Sequence, residues 1–190
     1  MRLFFLLATS TLLLSQSMDV LAEQPDTRAH EHGVAKLELF KQATELQISF
    51  YATGTDILGF EHQPQDQAEA DTVKKAIALL AAPDNLFQIE GAQCSLKQHQ
   101  SNLAELQKHS ASKDEHSREH EGEHKHQHSG HSDIEANYHF NCIATTEPVT
   151  VRVNLFSLFP QLHKIHSSWI TETGQSAATL SATENRISLN

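Results

Sequence analysis

Seven histidines, His109, His116, His120, His124, His126, His128 and His131, crowd one stretch of a 190-residue chain that holds 14 in all. Asp114, Glu115, Glu119, Glu121, Glu123 and Asp133 are interleaved with them or close the stretch. Neutral imidazole is the commonest side-chain ligand for transition metals, and carboxylate oxygens complete such coordination shells. A flexible segment carrying many of both can wrap an ion in several ways, so the chemistry implied is metal capture. His116, His120, His124 and His128 recur every four residues and would form one row on a helix. Gly122 and the absence of an apolar face argue against that helix without metal. With nothing to bury, residues 109–133 cannot offset the entropy of ordering and are expected to form a disordered loop. The competing reading is a solvated low-complexity linker.

A second cluster precedes the first strand. In "RAHEHGVAK" the imidazoles of His30 and His32 share a face if the chain is extended, which makes an H-x-H platform for two bonds to one ion. A solvated N-terminal arm is the alternative. Further metal candidates are His62, next to Glu61 in "GFEHQP", then Asp133, and His163 and His166 in "HKIHSSW". His62 reads equally well as an exposed turn histidine. His163 and His166 would point to opposite faces of a strand, and only a helical turn would let them chelate one ion.

Missing ligands narrow the choice of metal. The only methionines, Met1 and Met18, fall in a leader expected to be removed, and the cysteines are expected to be oxidised, so no soft sulfur ligand remains for copper(I). Imidazole with carboxylate suits zinc, and also nickel or copper(II) in vitro.

The elements that must position these groups follow from patterning. Residues 1–22 read as a cleaved signal peptide: Arg2, an apolar run from Leu3 to Leu14, and Val20-Leu21-Ala22 before the cut. An uncleaved anchor is the alternative, though the run is short for a bilayer. Residues 23–190 are then one domain, periplasmic or secreted, with no later membrane span. The net charge of −10 survives leader removal, which takes one Arg and one Asp, and it disfavours nucleic acid and anionic lipid as partners. In that compartment Cys94 and Cys142 are expected to pair, each on the apolar side of an alternating strand.

"VAKLELF" and "LQISFYA" alternate as two half-buried strands, Ala35, Leu37, Leu39 and Leu46, Ile48, Phe50, Ala52 facing in. Asp66 and Glu69 open the one main helix, whose Val73, Ala76, Ile77 and Leu80 recur at helical spacing before Pro83. Strands are expected near 86–96, 138–144, 149–155 and 165–171, with short ones near Leu180 and Ile187. The fold class is α+β, mainly antiparallel β and sandwich-like.

"AHEHG", "DILGFEHQP", "LFQIEGAQC", a histidine-rich insert ending "HSGHSDIEANYHFNC", and "LFSLFPQLHKIHSSWITETGQSAATL" occur in an order that resembles the periplasmic ZrgA-type zinc uptake proteins. The resemblance covers essentially the whole mature chain. It implies a non-catalytic periplasmic protein that captures or buffers zinc and assists a zinc ABC importer, with that importer's solute-binding protein as a partner. It also implies that the H-x-H-G motif and the variable loop bind zinc, which here means His30, His32 and the loop histidines. Two other classes compete: a zinc-dependent hydrolase, disfavoured because no H-E-x-x-H or other compact ligand set carries a placed base, and a metal-independent β-rich interaction domain.

Overall fold

The computed structural model describes residues 31–104, 133–143 and 147–189. Among the described residues nine strands form two sheets. The larger has the order β4-β5-β2-β1-β7-β8, built from β1 (Val34–Gln42), β2 (Glu45–Thr53), β4 (Cys94–Ser101), β5 (Asp133–Cys142), β7 (Lys164–Thr171) and β8 (Gly174–Leu180). The smaller is β3 (Phe87–Glu90), β6 (Val149–Val153) and β9 (Arg186–Leu189), in the order β3-β6-β9. Every pairing is antiparallel except β1 with β7. The sequence expectation of a mainly antiparallel β fold with one main helix therefore holds.

That helix is α2 (Gln67–Leu80), and its start is the one read from the sequence. Asp66 accepts the Glu69 amide at 2.9 Å, and Glu69 reaches back to the Gln65 amide at 2.7 Å, so amides that the first turn leaves unpaired find partners. Short helices α1 (Gly54–Leu58), α3 (Pro83–Leu86) and α4 (Leu155–Leu158) complete the set among the described residues.

Alternation places one apolar face of each sheet in a common core. Leu37, Leu39, Leu46, Ile48, Phe50, Ile134, Tyr138, Phe140 and Ile165 come from the large sheet, and Phe87, Val151, Val153, Ile187 and Leu189 from the small one. Tyr138 ties the layers together: its ring meets Phe87 edge-on at 5.3 Å and its hydroxyl donates to the Leu80 carbonyl at 2.9 Å. A buried phenol needs such an acceptor, and burial pushes its pKa up.

Cys94 and Cys142 are directly paired in register and joined as a disulfide. Two features depart from the sequence reading. The stretch expected as strand from 86 to 96 divides between the two sheets at Gly91, which sits at φ +84° hard against the Pro148 carbonyl, where no larger residue fits. Leu96, which alternation with Cys94 places on the inward face, pairs with the buried Phe140 yet is 40 % exposed, because β4 is the edge strand of the large sheet; the β4–β5 register slips only beyond it, before Gln98.

Candidate metal centre

Thr53 ends β2 and caps α1, its hydroxyl accepting the Asp56 amide at 3.3 Å. α1 is only five residues long and closes on Gly59, a left-handed residue whose amide returns to the Thr55 carbonyl. This turn throws Glu61 back over the helix. There the Thr55 hydroxyl donates to Glu61 Oε1 at 3.1 Å. The same oxygen lies 3.2 Å from His32 Nε2. One imidazole nitrogen and one carboxylate oxygen thus converge, a donor pair suited to zinc.

The described part of the H-x-H-G segment, residues 31–33, is not extended where it enters β1. Residues 31–34 turn, with the Val34 amide on the Glu31 carbonyl at 3.2 Å. Gly33 makes the turn possible: its φ is +82°, and a Cβ there would sit 3.1 Å from the His163 ring. Three bonds grip this glycine. Its carbonyl accepts the His163 and Lys164 amides, and its own amide donates to Asp56 Oδ1 at 2.6 Å. His32 is exposed and Glu61 half-buried, so an ion can reach the pair from solvent.

The remaining candidates are scattered. His62 stacks on Phe60 at 5.0 Å, bonds the Gln63 carbonyl and lies 3.7 Å from Glu69 at the start of α2, away from its neighbour's partner. His163 packs on Gly33, whereas His166 stands on the outer face of the large sheet with Thr179 at 3.3 Å. Asp133 opens β5 opposite Thr53 and, with Glu31, Lys36, Tyr51 and His166, lines a surface groove of about 580 Å³. His30, His109, His116, His120, His124, His126, His128 and His131 lie outside the described residues. Among the described residues no three His, Cys, Asp or Glu side chains are gathered for one ion.

Three groups of the structure carry no signal in the sequence pattern. Asp56 beneath the turn gave no signal, being an acid in a short apolar stretch. His139 pairs with Glu45 on the outer face of the large sheet, a contact fixed by the β2–β5 register. His99 stacks on Tyr138 at 5.1 Å, with its Nε2 buried and unpartnered and its pKa lowered by burial.

Topology gathers the important parts at one end of the large sheet. Thr53, which caps α1, is paired with Asp133, where the chain returns from the histidine-rich insert. The insert's two feet are clamped to each other: Asn102 donates through Nδ2 to the Asp133 carbonyl and accepts the Glu135 amide, and Leu103 is fully buried. No helix of the described residues is long and apolar enough to cross a membrane.

A family model described as ZrgA family zinc uptake protein matches residues 29–189. No curated protein matches the chain. The chain belongs to this family of zinc uptake proteins, which is not a family of enzymes.

Proposed function

We propose that this zinc uptake protein captures zinc in the periplasm without catalysing a reaction, and passes it to the solute-binding protein of a zinc ABC importer. Two kinds of site divide the work. His32 and Glu61, completed by His30, form one ordered site, and the histidines of residues 109–131 form a set of weaker ones. The observation that carries this reading is the 3.2 Å approach of His32 Nε2 to Glu61 Oε1. It is supported by the root of the insert at Asp133, which is paired with the residue that caps α1.

The fold already brings His32 and Glu61 together, and preorganised ligands lose less entropy on chelation, so this site should hold zinc tightly. Nickel and copper(II) suit the same donors and should compete in vitro. Calorimetry with zinc, on untagged protein so that no added histidines intrude, tests the division. Deleting residues 105–132 should leave one tight class of binding, and His30→Ala with His32→Ala should remove it. The opposite pattern, in which the deletion abolishes tight binding and the double substitution spares it, refutes the assignment.

A further inference from the structure

Asp56 is a carboxylate in a costly place. It lies in α1, between the end of β2 and the His32-Gly33 turn, and is 2 % exposed. Oδ1 accepts the Gly33 amide. Oδ2 is buried with no hydrogen-bond partner, and among the described residues no cationic side chain pairs with the group. Buried carboxylates are ordinarily paired with a cation or fully hydrogen-bonded, because desolvating the charge is so unfavourable. Holding the turn does not explain it. An asparagine offers Gly33 the same acceptor without a charge. What asparagine lacks is attraction for a cation, and the chain on either side of Asp56 leads to cation ligands: its Oδ1 holds the residue after His32, and its neighbour Thr55 holds Glu61.

We propose that Asp56 is the positioning residue and buried counter-charge of a divalent cation held by His32 and Glu61, an inference that rests on the site proposed above. Oδ1 fixes the turn that presents His32. The uncompensated negative charge, in surroundings that screen it poorly, raises affinity for the ion at the surface above it. The seat for zinc is therefore two-layered, with His32 and Glu61 outside and a carboxylate beneath.

The test uses the full mature chain with zinc alone as probe, its tight class resolved by competition with a chromophoric chelator. Asp56→Asn keeps shape and acceptor but removes charge. Zinc-free Asp56→Asn should melt at or above the parent temperature, while its tight-class Kd rises about tenfold or more, and Asp56→Ala, which also frees the turn, should be weaker still. Parent-like affinity in Asp56→Asn overturns the inference, as does a zinc-free variant that melts well below the parent. If the parent's tight class survives both His32→Ala and Glu61→Ala, the site itself falls and the inference with it. A tight class that is sensitive to those two changes but indifferent to Asp56→Asn sinks only the role of Asp56.

Discussion

His32 Nε2 and Glu61 Oε1 meet at 3.2 Å although the β1–β2 hairpin and α1 lie between them in the chain. If this pair is the heart of the ordered site, Glu61→Gln should weaken tight zinc binding by roughly a hundredfold, because the lost anionic ligand is replaced by a neutral amide. Chelator competition measures it. Glu69→Gln, which alters the carboxylate near His62 instead, should leave the tight class unchanged.

Removing residues 105–132 and joining the strands by a short turn should leave the melting temperature unchanged or raise it by a few degrees, since shortening the loop about sevenfold recovers only about 1.7 kcal/mol of closure entropy. Zinc stoichiometry should fall at the same time. A collapse in stability would mean that the insert contributes packing to the core.

Asn102 is expected to matter more than its surface position suggests. Its two side-chain bonds join the feet of the insert, so Asn102→Ala should cost about 1 kcal/mol and speed hydrogen exchange at the Glu135 amide. Denaturant unfolding and exchange mass spectrometry read the two effects.

The disulfide spans a sequence separation of 48 residues, and its loss should relax the unfolded chain enough to cost about 4 kcal/mol on the entropic account. The double Cys→Ser variant should melt lower while binding as many zinc ions. Loss of zinc without loss of stability would make the cysteines ligands instead.

Acid should act partly through His99. Burial lowers its folded pKa below the usual 6.5, so the unfolded chain takes up the proton first as pH falls. The stability from a neutral His99 is complete above 6.5 and is lost as pH drops from there towards the folded pKa. His99→Phe keeps a ring on Tyr138 and removes the unpartnered Nε2, so its zinc-free melting temperature should fall less than the parent's between pH 7 and 5. Parallel profiles would dismiss His99 as an acid-sensitive group.

Much of this architecture was legible in the chain because it is local. Period-two alternation gave β1 and β2, the Asp66–Glu69 cap gave α2, and paired inward positions gave Cys94 with Cys142. The parallel pairing of β1 with β7 was not legible, since no local pattern encodes which distant strand closes a sheet edge. Nor was the His32–Glu61 pair: α1 is too short to show helical periodicity, so nothing announced that the chain doubles back after Gly59 to bring Glu61 to His32. Asp56 was hidden by its type, because acids are read as solvent-facing until a fold surrounds them.

The insert leaves the fold between two adjacent antiparallel strands, with the Cys94–Cys142 bridge at one end of that hairpin and the Asn102 clamp at the other. Its span is therefore a quantity the core scarcely registers: doubling it adds only about 0.6 kcal/mol of closure cost. If the insert holds zinc as proposed, its capacity is set independently of the scaffold. Histidines can be added or lost there, by natural drift or by grafting a peptide of any metal preference, while the shallow seat at His32 stays as it is.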